Sequence, residues 1–248
     1  MHDNRMTTEI LTIDKGQCLT DVLPAIPANT IFDKTITGCG ATHSEIVNAA
    51  RHSIIIEPNI PVILGKKAEH PFLFAVYEGI TKEDVKAYLA GEHDGYRKII
   101  TTPEGFDKKV LPAMHELEIP VYKDYFLLFD ECEKAIQDVG YRGDIYLPVE
   151  DFFKFENKAM VSATPIVPSD PRFEENGFKI LKLVPTYDSR IELTLCTTNN
   201  TVAVMRKLLK RLENETVCVF LNSTETILSL IYALRLQGRS RVFCSEKA

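Results

Sequence analysis

Tyr125-Phe126-Leu127-Leu128-Phe129 is apolar at every position, and two acids, Asp130 and Glu131, follow it directly. A strand with one face in water alternates apolar and polar residues. A strand that does not alternate is buried on both faces, which is the habit of parallel sheets sandwiched between helices. This run therefore restricts the chain to an α/β architecture and sends two carboxylates to the end of a buried strand.

Other segments agree. Ile31 to Thr37, Ser53 to Glu57, Phe72 to Tyr77, Lys98 to Thr102 and Lys158 to Ala163 are short strand-like runs. Helical patterns separate them. Ser44 to Arg51 reads as a short helix, and Thr81 caps another whose first turn carries Glu83 and Asp84. Strands alternating with helices predict a parallel sheet covered on both faces, three layers in all. In such sheets ligands bind beyond the carboxyl ends of the strands.

Around Pro165 the composition shifts to a proline-rich, polar stretch that predicts a linker. The expected organisation is one domain over residues 1–166, a linker over 167–177, and an incomplete second α/β domain over 178–248. In that second series Arg190 to Thr197, Val217 to Leu221 and Arg241 to Cys244 read as strands. Thr201 to Glu213 and Ser223 to Leu236 read as helices.

Gly38-Cys39-Gly40-Ala41-Thr42 lies between a predicted strand and a predicted helix. A loop there can aim successive backbone N–H groups at a phosphate. Gly38 and Gly40 let the backbone wrap closely, and Thr42 is placed to put a hydroxyl on Mg²⁺. The usual phosphate-loop pattern has lysine immediately before that threonine; here the residue is Ala41. Lys34, Lys66 and Lys67 are the cations that could replace it. His43 and Glu45 follow the loop and are further candidates for the phosphate region. Asp130 can hold Mg²⁺, and Glu131 can orient an attacking water. Ser162-Ala163-Thr164 ends a later strand, where the hydroxyls of Ser162 and Thr164 could couple the phosphate site to the sheet edge.

The series Gly38–Thr42, Asp130-Glu131-Cys132-Glu133 and Ser162-Ala163-Thr164-Pro165 resembles motifs I, II and III of superfamily 2 (DEAD/DEAH-like) helicases, in the family's order. Glu57-Pro58-Asn59 looks like motif Ia, Thr101-Thr102-Pro103-Glu104 like motif Ib, and Val219 to Ser223 like the motif IV strand. The resemblance implies a RecA-like P-loop NTPase domain that takes ATP and Mg²⁺. It also implies a nucleic-acid path that includes Pro58, Asn59, Thr102 and Pro103. The departures are Ala41, the absence of a Q-motif, and the absence of motifs V and VI.

A net charge of -6 weighs against bulk electrostatic coating of nucleic acid, though not against a local basic groove. None of the six cysteines forms a CxxC pair, and several sit in apolar runs, so they are expected to be buried reduced thiols. No apolar run reaches the roughly 18 residues of a membrane span. A cytoplasmic location is expected. Two functions follow. One is ATP-dependent unwinding or remodelling of DNA or RNA, with a mobile element or phage as one setting. The other is a RecA-like scaffold that binds nucleic acid or a protein partner without turning ATP over.

Overall fold

The computed structural model describes residues 6–132, 149–164, 170–189, 195–211, 215–221 and 223–242. The chain divides into two compact units, Met1–Ser189 and Arg190–Ala248.

The first unit is built on eight strands: β1 (Thr8–Ile13), β2 (Thr30–Asp33), β3 (His52–Ile56), β4 (Phe74–Val76), β5 (Lys98–Thr101), β6 (Tyr125–Asp130), β7 (Asn157–Ser162) and β8 (Lys179–Pro185). They form a single sheet in the order β1-β8-β2-β7-β6-β3-β5-β4. Every neighbouring pair is parallel. The intervening helices are α1 (Leu19–Val22), α2 (Ala41–Val47), α3 (Ile60–Glu69), α4 (Lys82–Ala90), α5 (Pro103–Gly105), α6 (Leu111–Glu116), α7 (Val121–Asp124), α8 (Val149–Lys154) and α9 (Pro171–Glu175). A π-helical turn, Phe106–Val110, joins α5 to α6.

The two faces of the sheet carry separate cores, as the apolar β6 run requires. Tyr125, Leu127 and Phe129 pack on one side with Ile54, Ile56, Ile99 and Phe106. Phe126 and Leu128 pack on the other with Phe32, Ile55, Ile100 and Val161. A Leu127→Ala change would leave a cavity in the first core and cost about 2–5 kcal/mol. Helix α4 starts as its sequence predicts: Thr81 accepts from the Asp84 N–H, and the Asp84 carboxylate reaches back to the Thr81 N–H.

Two strands were not anticipated. β1 and β8 pair along their whole lengths, and β8 also pairs with β2. Residues 179–185, assigned by the sequence to a second domain, are thus hydrogen-bonded into the first sheet, and the unit boundary falls after Ser189.

The second unit contains α10 (Thr201–Arg211) and α11 (Thr224–Ala233), the latter capped by Ser223 as predicted. Val217 to Leu221 and the described part of Arg190 to Thr197 form no strand. An apolar run becomes a strand only where another strand pairs with it, and Phe220 and Leu195 stand largely exposed. Residues 243 and 244 of the last expected strand lie outside the described residues, as do Glu133, Pro165 and Asn222 of the quoted motifs. Among the described residues no helix is long and apolar enough to cross a membrane.

Candidate functional site

Because all eight strands run the same way, their carboxyl ends share one edge. Strand β2, which precedes the glycine loop, and the acidic strand β6 are not neighbours there: β7 lies between them. At about 4.8 Å per strand, their ends are separated by roughly 10 Å. The Thr42 hydroxyl, at the end of the Gly38–Thr42 loop, spans that gap to Asp130 at the end of β6.

The loop's glycines are required by its shape. Gly38 and Gly40 have φ of 76° and 88°, in the left-handed region that other residues enter at a cost. Their N–H groups donate to no acceptor among the described residues. The Cys39 carbonyl accepts from the Leu19 N–H at 2.8 Å, which ties the loop to α1. Helix α2 starts at Ala41, and the Thr42 hydroxyl donates to Asp130 Oδ2. Residues distant in sequence, read separately as a phosphate loop and an acidic pair, are in direct contact.

Lys34 completes the cluster. It follows β2 directly, and its N–H donates to the Ser162 carbonyl at 2.9 Å. Its ammonium donates to Glu131 Oε1 at 2.8 Å and to Asp130 Oδ1 at 3.3 Å. Only 8% of the residue is exposed. Burial pulls the ammonium down, but Asp130 and Glu131 together outweigh it and hold Lys34 above its ordinary value, so it is firmly charged. The sequence marked Lys34 as one of three candidate cations. Lys66 and Lys67 are engaged elsewhere, on Glu69 and on the Pro71 carbonyl.

Glu131 has φ of 50°, uncommon for a non-glycine residue, and its N–H donates to Asp130 Oδ1. Asp130 is almost wholly buried. Ser162 is buried at the end of β7, where its Oγ accepts from the Thr164 N–H, while Thr164 is exposed. Burial pushes the Cys39 thiol up.

A third carboxylate was missed as a site group. Glu57 follows β3, the strand beside β6, and is 2% exposed. Its Oε1 accepts from both the N–H and the side-chain amide of Asn59. Burial, reinforced by the nearby Asp130 charge, lifts it to about 7. The available signal was an acid at the end of a β-branched run beside the acidic strand.

The two segments matched to motifs Ia and Ib are adjacent. The Glu57 N–H donates to the Thr101 carbonyl at 2.9 Å. Pro58 and Asn59 are half-buried, and Asn59 caps α3. Thr102 and Pro103 are buried, with the Thr102 hydroxyl accepting from the Gly105 N–H.

Two other candidates are held by other partners. Glu45 is fully buried and bound to Arg51, Ser53 and Lys98, which removes it from the phosphate region. His43 Nδ1 lies 3.2 Å from His70 Nε2. Cys39 and Cys132 are buried as expected, but Cys18, Cys196 and Cys218 are exposed; Cys218 belongs to the run that forms no strand. All five are free thiols.

No family model and no curated protein matches the chain. Among solved structures, the DUF1998 helicase MrfA is similar, with a TM-score of 0.57 and 15% identity over 87% of this chain and 38% of its own. The Hef helicase domain from Pyrococcus furiosus aligns at a TM-score of 0.40 and 12% identity, over 94% of this chain and 50% of its own. The chain therefore spans well under two thirds of either protein. The likeness to MrfA agrees with the all-parallel, helix-covered sheet: the chain has an α/β fold similar to that of the matched part of MrfA.

Proposed function

We propose that this chain is a helicase-like ATP-binding protein that acts on DNA or RNA by ATP-dependent unwinding or remodelling. The observation that carries the reading is the hydrogen bond between Thr42 and Asp130, which joins the glycine loop to the acidic strand across β7. The groups gathered there fit a magnesium-bound polyphosphate. They are the Gly38 and Gly40 N–H groups, which have no acceptor among the described residues, a hydroxyl, a buried carboxylate for the metal and a second carboxylate beside it. In this reading Gly38 to Thr42 wrap the phosphates, and Thr42 and Asp130 hold Mg²⁺. Mg²⁺ held there would supply charge neutralisation for the terminal phosphoryl group. Glu131 orients the attacking water. Ser162 and Thr164 couple the site to the sheet edge, and the ends of β3 and β5 form the nucleic-acid path, with Pro58 and Asn59 at its surface and the buried Thr102 and Pro103 shaping the backbone there. The MrfA likeness supports a nucleic-acid role by analogy of fold.

The test is phosphate release by purified protein with Mg²⁺-ATP, with and without single-stranded DNA or RNA. Stimulation is expected, and Glu131→Gln is expected to lower it by about a hundredfold or more, in line with loss of a group that acts at the reacting centre. No stimulation, and no change with Glu131→Gln, would sink the proposal.

Ala41 favours a second reading, a scaffold that holds nucleic acid or a protein partner without turnover. Its side chain is 4% exposed and packs in the core, so position 41 supplies no charge to the loop. Calorimetry separates the two: heat of Mg²⁺-ATP binding supports the enzyme, and its absence supports the scaffold.

A further inference from the structure

A phosphate loop needs a cation near the terminal phosphates, because positioning and electrostatics provide most of the catalysis there. Position 41 cannot provide one. We propose that Lys34 does: its ammonium is the charge that this loop presents to the terminal phosphates of a nucleoside triphosphate. The inference rests on the nucleotide reading of the site.

Three observations carry it. Lys34 begins the same loop, and its backbone is fixed to the end of β7 by the bond to Ser162. Its ammonium lies on Glu131 and Asp130, the two acids assigned to water and metal. Asp130 offers Oδ1 to Lys34 and Oδ2 to Thr42, so the ammonium and the loop hydroxyl meet at one carboxylate. The charge that position 41 lacks is thus brought to the same place from the other end of the loop.

The present pairing also explains how a buried lysine is tolerated before nucleotide arrives. A buried cation must be matched by anions, and Asp130 and Glu131 match it. Asp130 would hold a bound Mg²⁺, and the Lys34 ammonium would then take phosphate oxygens as its anionic partners in place of that carboxylate.

The experiment is a calorimetric titration of the full chain with Mg²⁺-ATP, using wild type, Lys34→Met, Lys34→Arg and Ala41→Lys, each checked for cooperative unfolding. Losing a charge-assisted bond to phosphate is expected to weaken Lys34→Met by about tenfold or more, and Lys34→Arg should stay within about threefold of wild type. Ala41→Lys is the sharper arm, because it leaves Lys34 and its carboxylates intact. If Lys34 already supplies the cation, a second one strengthens binding by less than about threefold; if the loop lacks one, Ala41→Lys strengthens it by about tenfold or more. Wild-type affinity in Lys34→Met, or a tenfold gain in Ala41→Lys, overturns the role of Lys34 and leaves the nucleotide reading standing. Absence of binding by the wild type overturns both. If Lys34→Met does not unfold cooperatively, the Ala41→Lys arm decides.

Discussion

Glu57→Gln isolates one buried charge and gives a pH signature of known sign. Glu57 is 2% exposed and lies beside Asp130, and its carboxyl is raised from the ordinary 4.5 to about 7. A folded-state value above the unfolded one means that the folded protein binds the proton more tightly. The stability this group contributes is therefore fully present below 4.5 and is lost as pH rises through about 7. The whole shift corresponds to about 3 kcal/mol, of which about 2.5 kcal/mol falls between pH 5 and pH 8. Glutamine keeps an oxygen for the two Asn59 donors, so the substitution removes the ionisation and spares the hydrogen bonds. Urea unfolding of wild type and variant, followed by circular dichroism at half-unit steps from pH 5 to 8, gives the stability difference. Glu57→Gln is expected to gain on wild type by about 2–3 kcal/mol across that range, mostly below pH 7. A difference flat to within about 0.5 kcal/mol would refute the claim that burial holds this carboxyl neutral.

Further outcomes follow from other sites. Lys98, buried beside Ser53 and Glu45, is pulled by burial from 10.5 to about 8. A lowered lysine makes the folded protein bind fewer protons, so its stability contribution is present above 10.5 and lost as pH falls through 8. Wild type should therefore gain on Lys98→Met by about 2 kcal/mol as urea unfolding is followed from pH 8 to pH 10. A Cβ at Gly105 would meet Thr101 Oγ1 at 2.5 Å and the Val76 carbonyl at 3.2 Å, so Gly105→Ala should cost about 1–3 kcal/mol through overpacking. At Gly40 a Cβ meets nothing within 4 Å, and Gly40→Ala should cost only the left-handed backbone strain, about 1–2 kcal/mol, in the same assay. Glu131→Gly should be more stable than Glu131→Ala by about 0.5–1 kcal/mol, the reverse of the usual order, because residue 131 sits at φ of 50°.

The readable parts of the fold were those that local pattern dictates. β6 is apolar throughout because both of its faces meet cores, so its burial and its central place follow from five consecutive residues. The loop glycines are readable for the same reason, since backbone shape demands them. β8 was hidden by context. Lys179 to Pro185 alternates in burial, as an ordinary half-exposed strand does, and follows a proline-rich stretch that reads as a boundary. What places it in the sheet is pairing with β1 near the other end of the unit, and no local window contains both. Val217 to Leu221 errs the opposite way: it has the composition of a strand without a partner to make it one. Lys34 belongs with β8. A lysine at a strand end is ordinarily solvated, and its burial depends on two acids distant in sequence.

These cases share a cause that bears on Ala41. The loop's path is set by Gly38, Gly40, the bond from Leu19 to Cys39 and the contact between Thr42 and Asp130, none of which involves the side chain at 41. That side chain could become alanine and join the core without disturbing the path. The cation is a separate requirement. It can be met from any position whose ammonium reaches the same carboxylates, provided that burial is compensated there. Lys34 meets that condition, with two anionic partners and a backbone fixed to β7. Glu131 fits the same logic. A carboxylate in a left-handed backbone is costly to maintain, and strain of this kind collects where a side chain must be aimed. Here it is aimed at the ammonium of Lys34. The fold and the charge at this edge are thus encoded by different residues, and so a departure at position 41 alone does not decide whether the site works.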